Sequence, residues 1–141
     1  MLKLLFPTYN KIDATSYAIL LLRVAFAAML MTHGWAKLSN FSQTAASFES
    51  MGGSVAAGLA VFAEFFCSMG VIVGFLHRLA IIPMIITMSV AFFIAHGGKL
   101  VGEGSGEMAF LYLIAFISLL ITGAGRFSVD HIIGTRLQNR N

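Results

Sequence analysis

The stretch that decides the fold is residues 17–35, YAILLLRVAFAAMLMTHGW, which is apolar except for Arg23 and the late His33. A helix that crosses a bilayer needs about 20 largely apolar residues. Because lipid offers no partner to backbone N–H and C=O groups, only helices and closed β-barrels cross it. The unbroken apolar run from Ile19 to Leu22 contradicts the alternating pattern of a barrel strand. The stretch therefore predicts a transmembrane helix.

Three further segments meet the same criterion. Residues 50–75 contain Glu64 as their only charged side chain, and residues 79–98 and 108–125 contain no Asp, Glu, Lys or Arg. Only His77 and its immediate neighbours join the second segment to the third, which predicts a tight antiparallel pair. The predicted fold is all-α: an integral membrane four-helix bundle with antiparallel, up-down helices.

The composition excludes other classes of protein. Hydrophobic residues make up 58% of the 141 residues and charged residues 11%, whereas a soluble domain averages roughly 45–50% and about 25%. This excludes a soluble globular enzyme and also a disordered chain. The net charge of +3 does not predict nucleic-acid binding, because the cations are scattered between apolar blocks. Cys67 is the only cysteine, so the chain has no internal disulfide, Cys-x-x-Cys pair or iron–sulfur cluster.

Positive charges divide unevenly between the two sides of such a bundle. One side has Lys37 and Lys99. The other has six cations: Lys3, Lys11, Arg78, Arg126, Arg136 and Arg140. By the positive-inside rule, both termini are predicted to be cytoplasmic. Residues 1–16 are then a cytoplasmic or interfacial N-terminus, residues 17–125 the four-helix membrane domain, and residues 126–141 a basic cytoplasmic tail. No small-residue cleavage site follows the first segment, which predicts a retained helix.

Two short stretches between or after these segments have amphipathic spacing. Phe41, Ala45 and Phe48 follow an i, i+4, i+7 pattern after the capping residues Ser39 and Asn40, which predicts a short helix on the outer surface. Residues 127–136, with Ser128 as N-cap, predict the same on the cytoplasmic side. A plain connecting loop fits each stretch equally well.

Two charged residues lie deep within predicted spans. Arg23 lies 11 residues below Gly34, and Glu64 lies 11 residues below Gly53, or roughly 16 Å in each helix. A charge at the centre of a span costs about 2.5–3.5 kcal/mol on insertion scales and usually has a partner inside the protein. We therefore expect Arg23 and Glu64 to pair within the bundle. The pair could be purely structural, fixing helix register, or part of a binding or proton-handling site.

A second polar cluster lies near the predicted outer helix ends. It includes His33, Lys37, His96 and Glu107. Such a set could hydrogen-bond a quinone headgroup, and two histidines on separate helices could instead be axial haem ligands. No His-x-x-x-His spacing supports a metal, and none is predicted. The alternative for each histidine is a hydrogen bond to a loop carbonyl, which is the interpretation favoured for His77 and His131.

The two clusters together could form a polar track from the outer helix ends down to Glu64. Separately, Gly70 and Gly74 form a Gly-x-x-x-Gly step, which predicts close helix packing within the bundle.

The order and spacing of these residues resemble the DoxX family of small four-helix membrane proteins, from about Tyr17 to Ile133. The residues that carry the resemblance are Arg23, His33-Gly34, Lys37-Leu38, Phe41, Glu64, Arg78, His96, Glu107 and the tail Gly123-Ala124-Gly125-Arg126-Phe127-Ser128-Val129-Asp130. Ala124 stands where the family commonly has a proline. The resemblance implies a multi-pass protein of the bacterial inner membrane. It also implies a redox setting, because relatives include a subunit of thiosulfate:quinone oxidoreductase and membrane partners of oxidative-stress and sulfur-metabolism proteins. The family resemblance further implies a polar or ligand site made of Arg23, His33, Lys37, Glu64, His96 and Glu107, with no catalytic role assigned to any of them.

Three functions follow as hypotheses. The first is a membrane component of a quinone-linked oxidoreductase system, with the quinone bound in the polar site. Because the sequence supplies no redox group, electrons would need a quinone, a haem or a soluble or membrane partner protein. The second is a non-catalytic scaffold that anchors redox partners in the bilayer. The third is a small transporter, for which four spans suffice only in a homo-oligomer.

Overall fold

The computed structural model describes residues 14–139, and over these residues it is all-helical, without β-strands. The helices are α1 (Ala14–Ser39), α2 (Phe41–Ser47), α3 (Ser54–Val73), α4 (His77–Ala95), α5 (Glu107–Thr122) and α6 (Val129–Gln138). The all-α class is therefore confirmed. The predicted count of four is wrong, because two short helices accompany the long ones. Lys3, Lys11 and Arg140 of the predicted cytoplasmic charges lie outside the described residues.

Three of these helices have the length and composition needed to cross a membrane. They are α1, α3 and α4, with 26, 20 and 19 residues. Helix α5 is equally apolar but has only 16 residues, which corresponds to ~24 Å at the rise of an α-helix. A bilayer core is ~30 Å thick. The fourth predicted segment thus forms a helix, but a shorter one than the others.

The two additional helices are the stretches that the amphipathic spacing singled out. Helix α6 begins as predicted: the Ser128 side chain accepts a hydrogen bond from the backbone N–H of His131 at 3.1 Å. Helix α2 follows Asn40, whose side-chain amide donates to Ala36 O at 3.2 Å instead of capping the helix. Both short helices are confirmed, although only one of the two caps uses its side chain.

The four longer helices pack in a ring. Helices α1 and α4 each contact both α3 and α5, and the buried core between them is apolar (for example Ala27, Met84 and Phe116, each 0% exposed). Large apolar side chains on the outer faces stay exposed, such as Leu21 at 71% and Val55 at 72%. An outer surface of this kind suits lipid, which solvates apolar side chains.

Helices α1 and α3 touch backbone to backbone at Gly34. A Cβ added there would lie 2.6 Å from Phe65 N and 2.7 Å from the carbonyl carbon of Glu64. We call the end of the bundle that contains Gly34 and Lys37 the Lys37 end. The opposite end, where Arg23 meets the residues that follow α3 and α5, is the Arg23 end.

The two glycines predicted for helix packing have different surroundings. Gly70 lies against α4, where an added Cβ would be 3.5 Å from Ala80 Cβ. Gly74 ends α3 with φ +70, a left-handed conformation that glycine adopts without steric cost. An added Cβ would also lie 2.6 Å from the Arg23 guanidinium, so Gly74 leaves space for that side chain.

Two of the long helices contain a wider, π-helical turn. In α3 it covers Phe62–Cys67, and in α4 it covers Ala91–Ala95. The second turn is marked by the hydrogen bond from His96 N to Ala91 O at 3.1 Å. Such turns rotate the side chains that follow them and are frequent at functional sites. Both turns lie beside the cavity described next.

Candidate functional site

A cavity of about 140 Å³, which is open to the outside of the bundle, lies between the four long helices at the Lys37 end. Its wall is formed by polar groups on three sides and by apolar side chains between them. The lining residues are Leu30, His33, Lys37, Glu64, Met88, Ala91, Met108, Ala109 and Tyr112. The structure thus brings His33, Lys37 and Glu64 of the predicted site together, and it places them near the end of the bundle rather than at its centre.

Glu64 pairs with Lys37 and not with Arg23. The Lys37 ammonium donates to Glu64 Oε2, forming a salt bridge in which Glu64 is 3% exposed and the Lys37 side chain 28%. The predicted Arg23–Glu64 pair is therefore wrong. A carboxylate buried this far is stable as an ion only when it is paired, and Lys37 supplies the partner from the last part of α1.

The level of Glu64 in the bundle explains the error. The predicted Arg23–Glu64 pair requires Gly34 in α1 and Gly53 before α3 to lie at the same depth in the membrane. In the structure Gly34 lies against the backbone of Glu64 itself. Arg23 is 11 residues away along α1, or roughly 16 Å.

Arg23 binds backbone carbonyls at the opposite end. Its guanidinium donates to Ala124 O and, at 2.6 Å, to Phe127 O. Both carbonyls belong to the turn that follows α5, so Arg23 fastens α1 to that turn. Arg23 is 1% exposed, and these bonds leave its Nε without a partner. Arg23 is buried inside the protein, as expected, but it is not part of the cavity.

Asp130 is a buried acid that the sequence analysis did not select. One carboxylate oxygen accepts from Leu76 N at 2.8 Å and the other from His77 N at 2.9 Å, which caps the start of α4 from another helix. Burial raises the pKa of Asp130, while the bonds from His77 and Leu76 and the charge of Arg23 act in the opposite direction. Two sequence signals could have pointed to it: its position two residues after the N-cap Ser128 and its place in the tail that resembles the family.

Tyr112 is the second residue that the sequence analysis missed. It is 3% exposed and lines the cavity, and its hydroxyl has no hydrogen-bond partner. Its ring meets the His33 ring edge-on, with centroids 6.3 Å apart. A buried hydroxyl without a partner is unusual, because leaving it unpaired costs about 1–3 kcal/mol. A tyrosine in a span without charged residues was the available signal.

His96 and Glu107 lie near the cavity but do not line it. His96 Nδ1 is 2.6 Å from Ala91 O in its own helix, and Glu107 is exposed in the first turn of α5. His77, which was predicted to be a loop residue, is instead buried at the start of α4, where Nε2 lies 3.3 Å from Leu119 O. Across residues 14–139, no three His, Cys, Asp or Glu side chains gather in a way that could hold a metal ion.

Comparison with known proteins agrees with this architecture. Residues 18–97 match the DoxX family, and the chain belongs to that family. An uncharacterized protein from Haemophilus influenzae is 29% identical over 128 residues, which cover 82% of this chain and 90% of the relative. No solved structure matches the chain. Family membership and the three long apolar helices together make it a membrane protein.

Proposed function

We propose that the protein is the membrane component of a quinone-linked oxidoreductase system and that the cavity at the Lys37 end binds the quinone ring. The observation that carries this proposal is the Tyr112 hydroxyl, buried at the cavity wall without a partner. A ligand carbonyl oxygen would accept its hydrogen bond. Without a ligand, the hydroxyl remains a desolvated donor that weakens the fold.

The size of the cavity limits the ligand to one ring. A cavity of ~150 Å³ holds a benzene molecule, and this cavity measures about 140 Å³. A single quinone ring fits if its substituents and tail extend beyond the cavity. A haem, with four pyrrole rings around its iron, is larger than this cavity.

Each polar group at the wall has a role towards a quinone. When bound, a quinone takes up two electrons and two protons and returns them on reoxidation. Lys37 and Tyr112 would donate hydrogen bonds to its oxygens, and the Lys37 charge would stabilise negative charge that develops there. Glu64, paired with Lys37, would accept or return a proton. His33 is exposed at the cavity wall and would relay that proton outward.

The electrons must come from a partner. The sequence has one cysteine, Cys67, which is buried and cannot form a disulfide within the chain. We therefore propose that a soluble or membrane redox protein docks on this subunit and exchanges electrons with the bound ring.

For the arrangement in the membrane, we propose four spans in the bacterial inner membrane with both termini in the cytoplasm. Arg78, Arg126 and Arg136 lie next to the Arg23 end in sequence, whereas Lys99 follows the end of α4 at the other side. This distribution supports a cytoplasmic Arg23 end. Helix α5 would complete its span with the residues that flank it, because 16 residues alone fall short of the core.

Quinone content tests the function directly. The full chain is produced in a quinone-containing bacterial membrane, extracted in mild detergent, and its lipid extract is assayed for quinone per mole of protein. We expect about one quinone per chain, and its loss in Lys37→Met. The matched control is Lys99→Met, which removes an exposed lysine outside the cavity. A folded protein that carries no quinone and binds none on addition would refute the proposal.

One observation favours the scaffold as a second candidate. Lys37 and Glu64 satisfy each other without any ligand, and a buried ion pair can serve structure alone. If the protein is a scaffold, the Glu64→Gln variant should remain functional. Substitutions on the surface that binds partner proteins should abolish function. Retention of quinone together with loss of redox coupling in Glu64→Gln would exclude the scaffold.

A further inference from the structure

We propose that the ligand enters the cavity sideways from the bilayer, through the gap between α1 and α5, and that Met108 borders this opening. The inference rests on the proposed function and extends it from binding to access. Four helices in a ring leave four gaps through which a ligand could pass. Close packing of neighbouring helices narrows three of these gaps.

The gap between α1 and α3 is closed by backbone contact. The Gly34 position leaves no space for even a methyl group, because a Cβ there would lie 2.6 Å from Phe65 N. A ring of quinone size cannot pass between backbones in contact.

The two gaps beside α4 are closed as well. At the start of α5, a Cβ on Gly106 would lie 2.8 Å from Phe92 Cδ2 and 2.9 Å from His96 Cβ, so α4 and α5 meet directly. On its other side, α4 packs against the π-helical turn Phe62–Cys67 of α3. A ring that passed beside Gly106 would have to displace the side chains of Phe92 and His96.

Side chains bridge the gap between α1 and α5. Two ring contacts span it, Phe26 with Tyr112 at 5.8 Å and His33 with Tyr112 at 6.3 Å between centroids. Met108 is 56% exposed and yet lines the cavity, which places it at the opening. A methionine side chain has three rotatable bonds and moves aside easily. Rotation of Met108 and His33 would therefore widen the opening of the cavity without displacing a helix.

The surroundings of this gap are apolar, which favours access from lipid. One turn from His33 on α1, Met29 is 52% exposed, and one turn from Met108 on α5, Leu111 is 49% exposed. These side chains share faces with the residues at the opening. At the far end, Arg23 holds α1 to the turn after α5, so the gap can widen at the Lys37 end while its other end stays fixed. A quinone tail would lie along this apolar seam.

Binding kinetics test the access route. The full chain is reconstituted in phosphatidylcholine vesicles, and association of a tailed ubiquinone is followed by stopped-flow quenching of Trp35, the only tryptophan. We expect Met108→Phe to slow association and dissociation together by about tenfold. The control is Ile121→Phe, which enlarges another lipid-exposed residue of α5 (74% exposed) and should bind at the wild-type rate. Unchanged kinetics in Met108→Phe would overturn the proposed route.

A second readout does not depend on quinone and separates failure of the route from failure of the function. In a Cys67→Ser background, Ala109→Cys places a thiol at the cavity wall. The neutral methyl methanethiolsulfonate should modify it from the bilayer, and Met108→Phe should slow that reaction about tenfold. The charged trimethylammonium-ethyl analogue should not react from either side.

Equal reaction with the charged reagent would show access from water and overturn the inference, even if quinone binds. If no quinone binds but only the neutral reagent reacts, the result supports the access route and refutes quinone as the ligand.

Discussion

Lys37 and Glu64 form the ion pair around which the cavity is built, and each makes burial of the other tolerable. Glu64 is 3% exposed, and Lys37 supplies the opposite charge beside it. Tyr112 differs, because its hydroxyl has no partner among residues 14–139. The wall thus combines a satisfied pair with an unsatisfied donor, and the two respond differently to substitution.

Removing one partner of the pair should be costly, whereas removing both should not. Lys37→Met leaves a buried carboxylate unpaired, and we expect the free energy of unfolding in mixed micelles to fall by about 3 kcal/mol. The Lys37→Met/Glu64→Gln double variant should recover most of this loss, since no buried charge remains. A double-mutant cycle measures the coupling. Simple additivity of the two single losses would contradict a stabilising pair.

The sequence indicated which charged residues are buried in the bundle, but it suggested the wrong partner for Glu64. Glu64 and Arg23 were recognisable because charges are rare in apolar spans, and both are buried. Their partners were not predictable, because the relative heights of α1 and α3 depend on the Gly34 contact. Tyr112 and Asp130 were missed because their importance arises only from contacts with other helices.

Among the helices, the contact of α1 with α3 sets the height of Glu64 relative to Lys37. It depends on the absence of a side chain at Gly34, where the nearest atoms of α3 belong to the backbone and cannot rotate away. Any added carbon must therefore push the helices apart, and the salt bridge would lengthen with them.

Gly34→Ala should accordingly destabilise the bundle. We expect a loss of about 1–3 kcal/mol in the free energy of unfolding from overpacking. Gly58→Ala is the matched control, since that glycine lies within α3 with no atom within 4 Å of an added Cβ. The control should be neutral or stabilising by up to about 1 kcal/mol, because alanine favours helix. Equal effects of the two substitutions would show that Gly34 is not a close contact.

Helix α6 is attached to the bundle by Asp130. Asp130→Ala removes the acceptor of two backbone N–H groups, and we expect it to cost about 2 kcal/mol. Hydrogen exchange should rise at Leu76, His77 and throughout α6. Glu107→Ala, which removes an exposed acid from the first turn of α5, should leave exchange at these sites unchanged. Protection of α6 that survives Asp130→Ala would mean that other contacts hold this helix.

The helices themselves were largely predictable, because uninterrupted apolar runs leave the backbone no alternative in lipid. Even α6 followed from Ser128 and the spacing after it. The π-helical turns at Phe62–Cys67 and Ala91–Ala95 were not predictable, since no residue type marks them. These turns orient Glu64 and Ala91 towards the cavity, so the site could be predicted only in part.

For the molecule as a whole, the central question is which end of the bundle faces the cytoplasm. In a Cys67→Ser background, Glu103→Cys tests the loop at the Lys37 end and Thr135→Cys tests α6, both at exposed positions. With a membrane-impermeant thiol reagent on intact cells, we expect Glu103→Cys to react and Thr135→Cys to react only after permeabilisation. Labelling of both cysteines from the same side of the membrane would contradict the proposal that α5 crosses the membrane between positions 103 and 135.

The most direct test of the ligand cavity is the equilibrium dissociation constant of a short-tailed ubiquinone for the wild type and for Tyr112→Phe, measured in detergent beside the thermal midpoint of the ligand-free protein. The substitution removes only the unpartnered hydroxyl. The ligand-free variant should be as stable as the wild type or more so, because a buried donor without a partner is lost. Binding should weaken about fivefold, the equivalent of one neutral hydrogen bond of ~1 kcal/mol. A variant that binds as tightly as the wild type, or that is less stable without ligand, would contradict the account.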